Sequence, residues 1–134
     1  MSGMSNGPTA AAACILVADD HAGLRRALRD TLEAEGYAVT EAADGAQALE
    51  ALADGRIDVA MVDLRMPGVD GFGVLERAAE CGLTAPVLVT SAVGDRHTRE
   101  RSSELGAFAF HKKPFVLDQL LADLERAVAR VRTA

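Results

Sequence analysis

The 134-residue chain has no tryptophan and one tyrosine, so indole fluorescence cannot report on ligand binding. It has two cysteines, Cys14 and Cys81, in apolar stretches without metal-ligand spacing. That pattern predicts buried free thiols in a reducing cytoplasm rather than a disulfide framework. It lacks a Lys/Arg run that would track a phosphate backbone, and 14 basic against 20 acidic residues give a net charge of −6. A surface that tracks a phosphate backbone is excluded, and direct nucleic-acid binding is not expected. No apolar run reaches membrane-span length. No basic residue precedes Arg25, so the positive start of a signal peptide is missing and a cytoplasmic location is expected. Repeats are absent too.

What is present is ordinary for a soluble domain, 49% hydrophobic and 25% charged. Residues 1–12 ("MSGMSNGPTAAA") read as a flexible tail and residues 13–132 as one domain. Along that domain, short apolar runs alternate with helical periods. "CILVA", "YAVTEA", "IDVAMV", "APVLVTS" and "GAFAFHK" read as strands by length and β-branched content. Between them, Leu24, Ala27, Leu28 and Leu32 mark one helix face, and Ala46, Leu49 and Leu52 another. "FGVLERAAE" is a third helix. The last helix has the clearest stripe, Leu117, Leu120, Leu121, Leu124, Val128 and Val131. Five strands alternating with helices predict a parallel sheet covered on both faces. "GDRHTRERSSELG" fits least well, with almost nothing apolar between Val93 and Leu105, and predicts a short or mobile fourth helix.

The polar residues at the strand ends carry the chemistry. Asp19 and Asp20 follow strand one, Asp63 ends strand three, Ser91 ends strand four and Lys113 ends strand five. The carboxyl ends of parallel strands share one sheet edge, where open α/β sheets bind ligands. Three carboxylates converging there need a cation to stay ionised, and oxygen donors suit Mg²⁺. Three Asp, one Lys and one Mg²⁺ sum to about zero charge, ready for a phosphoryl group. Asp63 has the position of a nucleophile, and a carboxylate attacking phosphorus forms an acyl phosphate.

"ADDH", "MVDLRMPGVDG", "PVLVTSA" and "KPF", in this order and spacing, resemble the receiver domain of two-component response regulators, including the chemotaxis regulators. The resemblance runs from residue 14 to about 131. It implies a flavodoxin-like, doubly wound five-stranded parallel sheet of order 2-1-3-4-5 with helices on both faces. Asp63 becomes the phosphoacceptor, served by a sensor histidine kinase or a histidine phosphotransfer protein. Asp19, Asp20, Asp63 and the backbone carbonyl of Arg65 become ligands of Mg²⁺, with Asp19 acting largely through water. Ser91 takes the switch-hydroxyl position, Phe110 that of the aromatic ring that turns with it, and Lys113-Pro114 the pair whose peptide bond is cis. Such a domain is a signalling switch, not a metabolic enzyme. It is a monomer or a phosphorylation-dependent dimer, with a downstream target the sequence does not name. It is either a stand-alone regulator or the receiver piece of a longer chain.

Simpler roles compete at several positions. Asp20 could cap the first helix and Asp70 the third. Thr90 rivals Ser91, and Lys112 rivals Lys113; strand alternation puts Thr90 and Ser91 on opposite sides and the Ala92 that follows favours Ser91, while the Lys-Pro motif favours Lys113. His21 reads as a helix-start residue and His97 as solvated, while His111 invites a metal or phosphorelay role. Two other functions remain: a phosphate-independent interaction module, and a Mg²⁺-dependent aspartyl phosphohydrolase. The latter would want a carboxylate two residues after Asp63, where Arg65 stands. Arg65 and Val93 flank the water path to the acyl phosphate in the family, which predicts slow self-dephosphorylation. Arg96, Arg99 and Arg101 in the fourth helix suggest an acidic partner or loose docking.

Overall fold

A computed structural model describes residues 12–133 of the chain. Apart from residue 12, the expected N-terminal tail lies outside the described residues. Ten elements alternate: β1 Cys14–Ala18, α1 Ala22–Ala34, β2 Ala38–Ala42, α2 Gly45–Ala53, β3 Val59–Asp63, α3 Gly71–Glu80, β4 Val87–Ser91, α4 Arg96–Glu104, β5 Ala109–Lys112 and α5 Leu117–Thr133. All pairings are parallel and the sheet order is β2-β1-β3-β4-β5, the flavodoxin-like order.

Side chains alternate across a strand, so each central strand feeds two cores. Leu16, Ala60, Val62 and Val89 pack with Ala48 and Leu52 of α2 and Val74 and Leu75 of α3. Ile15, Val17, Val59, Met61 and Leu88 face the other way, against Leu28 and Leu32 of α1 and Leu120, Leu124 and Ala127 of α5. Each of the fully buried leucines contributes about 1.5–3 kcal/mol by leaving water. The predicted helix faces hold for the large residues apart from Leu117. Ala27 and Ala46, expected inward, are exposed, as is Leu117. In α2 the buried positions are Gly45, Ala48 and Leu52, a stripe rotated from the predicted one. The free cysteines also differ from expectation: Cys14 is half-buried and Cys81, the C-cap of α3, is exposed.

Four helices start on a side-chain cap just after a strand or its loop. His21 Nδ1 accepts from Leu24 N–H, Asp44 from Gln47, Asp70 from Gly73 and Asp95 from Thr98, at 2.8–3.0 Å. Each of the three Asp caps is worth about 1 kcal/mol, and every cap fixes where its helix leaves the sheet edge. Asp70 thus takes the capping role read from the sequence. His21, not Asp20, caps α1.

The polar fourth segment does form a helix, nine residues long, with Ser102 as its buried residue. Two of its arginines are used inside the chain. The Arg99 guanidinium lies 4.6 Å from the Phe110 ring centre and Arg101 lies 4.4 Å from that of Phe72. Each such contact contributes about 0.5–1 kcal/mol at an exposed site, a substitute for the apolar stripe the helix lacks.

The loop "MPGVDG" between β3 and α3 turns on Gly68, whose φ of +74° suits glycine. It closes at Gly71, whose N–H donates to Leu64 O at 3.1 Å. A Cβ on Gly71 would lie 2.7 Å from both Asp63 O and Leu64 Cα, backbone atoms with no room to yield. Gly71→Ala is therefore expected to destabilise the fold by about 1–3 kcal/mol, read as a lower denaturation midpoint with an unchanged slope.

Candidate functional site

Strand register brings the expected residues to one edge. Ala18 is level with Ala42 and Val62, Asp63 with Thr90, and Ser91 with Lys112. The next residue after β1 is Asp19, and the next after β5 is Lys113. Asp19 and Asp63 are 2% and 5% exposed, whereas Asp20 faces solvent.

Lys113 joins the two buried carboxylates. Its Nζ donates to Asp19 Oδ2 at 2.7 Å and to Asp63 Oδ2 at 2.8 Å. Its backbone N–H donates to Ser91 O at 2.8 Å, which sets it beside β4, and its bond to Pro114 is cis, as the resemblance implied. Lys112, the rival, is exposed. The second oxygen of each carboxylate meets a backbone N–H: Asp19 Oδ1 accepts from His21 at 2.8 Å and Asp63 Oδ1 from Arg65 at 3.1 Å. Ser91 Oγ is buried and accepts from Val93 N–H at 3.0 Å, leaving its own proton to donate elsewhere.

The electrostatics follow from this crowding. Burial, the largest influence, pushes the Asp63 carboxyl above the usual carboxylate range. The hydrogen bonds from Lys113 and Arg65 oppose that shift, and the charge of Asp19 adds to it. For Lys113, burial is again the largest single influence and pulls downward. The hydrogen bonds to Asp19 and Asp63 together outweigh it and hold the ammonium above its ordinary value.

Asp19, Asp20 and Asp63 each offer a carboxylate oxygen, all within 4.8 Å of one another. An all-oxygen donor set with one solvent-facing member fits a hard cation that keeps some of its water, Mg²⁺ above all. Leu64, Arg65, Ser91 and Val93 line an adjoining cavity of about 230 Å³. The Arg65 and Val93 side chains, part of its lining, are exposed. Phe110 is half-buried on β5, level with Val89 and under Arg99.

Other residues were not legible from the motifs. Arg25 Nη1 donates to Asp19 O at 2.7 Å, and its Nε donates to Glu41 at 2.8 Å. An arginine between Leu24 and Leu28 on the inward side of α1 was the available signal. His111, which invited a metal or phosphorelay role, is buried, with Nε2 2.8 Å from Asp123 Oδ2. It ties β5 to α5. His97 is exposed, as read.

Asp63 is harder to ionise in the folded chain than in the unfolded one. Its ionisation therefore weakens the fold at neutral pH, an effect absent below the unfolded carboxylate pKa of about 3.9. Asp63→Asn removes that effect. With chelator present, the variant is expected to melt above the unmutated chain at pH 7. The two curves should converge as the pH falls below about 4, which parallel thermal melts would show.

The sequence matches the response regulator receiver domain family over residues 15–125. It is similar to sporulation initiation phosphotransferase F of Bacillus subtilis (strain 168), 35% identical over 106 residues, 79% of this chain and 86% of that protein. It is also similar to the sensor histidine kinase RcsC of Escherichia coli (strain K12), 37% identical over 118 residues. That match covers 88% of this chain but only 12% of RcsC. Among solved structures, Vibrio cholerae chemotaxis protein CheY4 superposes with a TM-score of 0.81 at 30% identity, covering 87% of this chain and 99% of that one. No helix among the described residues is long and apolar enough to cross a membrane. Five parallel strands in the order 2-1-3-4-5, an acidic cluster at their carboxyl ends and a family match over most of its length agree: the chain belongs to the response regulator receiver domains, signalling modules of two-component systems.

Proposed function

We propose that the domain, residues 13–132, is a phosphorylation-controlled switch whose phosphoacceptor is Asp63. The observation that carries this is the Lys113 ammonium bridging Asp19 and Asp63 beside a third carboxylate, Asp20. The donor is a phosphohistidine on a sensor kinase or a histidine phosphotransfer protein. An Asp63 carboxylate oxygen attacks phosphorus, a P–O bond forms and the P–N bond breaks. The imidazole leaves with the electron pair and later takes a proton from water. Positioning and charge neutralisation supply most of the rate.

Asp19, Asp20, Asp63 and the Arg65 carbonyl would hold Mg²⁺, which supplies positive charge to the phosphoryl oxygens. Lys113 is already on Asp63 and shifts its ammonium to a phosphoryl oxygen as that group arrives. Ser91 donates its free hydroxyl proton to another. These contacts exist only in the phosphorylated state, so they bias a two-state equilibrium, which Phe110 follows by turning inward. The reading has the chain work in the cytoplasm, as a monomer or as a dimer formed on phosphorylation, upon a target of its own.

Arg65 and Val93 line the cavity that Ser91 also lines, and in this reading they flank the path of an attacking water. A long cation and a branched apolar side chain there slow hydrolysis of the acyl phosphate.

The direct test is intact mass after incubation with acetyl phosphate and Mg²⁺. One phosphoryl group is expected on the unmutated chain, none without Mg²⁺ and none on Asp63→Asn. No gain from acetyl phosphate or from candidate kinases, with Mg²⁺ bound, would leave a phosphate-independent binding module as the better reading. The Arg65→Asn, Val93→Ala double variant is expected to lose its phosphoryl group about ten-fold faster, equal to about 1.4 kcal/mol of barrier. An unmutated phospho-form that decays as fast as the variant's would remove the tuning role.

A further inference from the structure

Arg25 lies one turn into α1, on the helix that follows the paired carboxylates. Its side chain is only 15% exposed, which a charged residue tolerates when its donors are matched. They are. Nη1 meets the carbonyl oxygen of Asp19 at 2.7 Å and Nε meets Glu41 Oε1 at 2.8 Å. The other Glu41 oxygen accepts from Arg29 at 2.9 Å, and Arg29 also reaches Glu33 at 3.2 Å. Glu41 belongs to β2, level with Val17. One guanidinium thus joins the turn after β1, helix α1 and strand β2.

The consequence falls on the backbone between the two aspartates. Asp19 N–H donates to Ala42 O at 3.0 Å, so β2 holds one side of the residue. Its carboxylate is taken by His21 N–H and Lys113 Nζ. Its carbonyl belongs to the peptide plane that links it to Asp20, and Arg25 holds that carbonyl. Asp20 is exposed, and this plane sets the direction in which its side chain leaves the turn.

Resting on the reading of the acidic pocket as a Mg²⁺ site, we propose that Arg25, braced by Glu41, is a positioning residue that aims Asp20 toward Asp19 and Asp63. A charge argument alone points the other way: deleting a cation near three carboxylates should tighten Mg²⁺. Here the Arg25 charge is matched by Glu41 and addresses a carbonyl, not a carboxylate, so its geometric effect dominates. Partners one step removed from a metal commonly set affinity by 10–100-fold.

Mg²⁺ titrations of the full chain, followed by thermal shift, separate the two accounts. Arg25→Ala is expected to bind Mg²⁺ about ten-fold more weakly and to exchange the Asp20 and His21 amides faster without metal. Arg25→Lys keeps the charge but not the two-armed fork, and should weaken binding in the same direction. Glu41→Gln keeps Arg25 and loosens its brace, giving a smaller loss; it also serves if Arg25→Ala fails to fold. Unchanged or tighter Mg²⁺ binding in Arg25→Ala, beside an unmutated chain that binds, overturns the positioning role and leaves the pocket standing. An unmutated chain that binds no Mg²⁺ overturns both.

Discussion

Two buried carboxylates from different strands share one ammonium, and the rest of the site is arranged around that constraint. Asp19 and Asp63 are nearly inaccessible to water, and like charges so placed repel. Lys113, arriving from the far side of the sheet, meets both at hydrogen-bond distance. Three carboxylates against one ammonium still leave an excess of negative charge. The excess makes the pocket receptive to a divalent cation. The lysine lets the fold hold the pocket together without one.

That pocket depends on the ordinary logic of a doubly covered parallel sheet. Alternate residues of β1, β3 and β4 fill two separate cores, so the strands cannot slip by one residue without turning both inside out. Register then aligns the carboxyl ends. Gly71 lets the loop after Asp63 close against the strand's own backbone, with no space for a methyl group. Side-chain caps start the helices beyond. Precision at the edge comes from packing some distance beneath it.

The face formed by α4 and β5 is held by different means. With Ser102 its buried residue, α4 rests on arginine–ring contacts, one of them on Phe110. Cation–ring contacts are weaker than a buried leucine and tolerate sliding. A helix attached this way is held less firmly than the helices packed on the two cores.

Alternation of apolar runs and helical periods was enough to determine a doubly wound parallel sheet. Residue order along it was enough to put Asp19, Asp20, Asp63, Ser91 and Lys113 at one edge, because strand ends are local features. Small residues misled more than large ones, Leu117 at the start of α5 being the exposed exception: Ala27 and Ala46 turn outward because an alanine gains too little from burial to orient a helix. Only the tertiary structure decided which charges meet. Arg25 with Glu41 and the Asp19 carbonyl, His111 with Asp123, and Arg101 with Phe72 are pairs from separate elements. The reach of a long polar side chain depends on how helices settle on the sheet, and no periodicity along the chain encodes that.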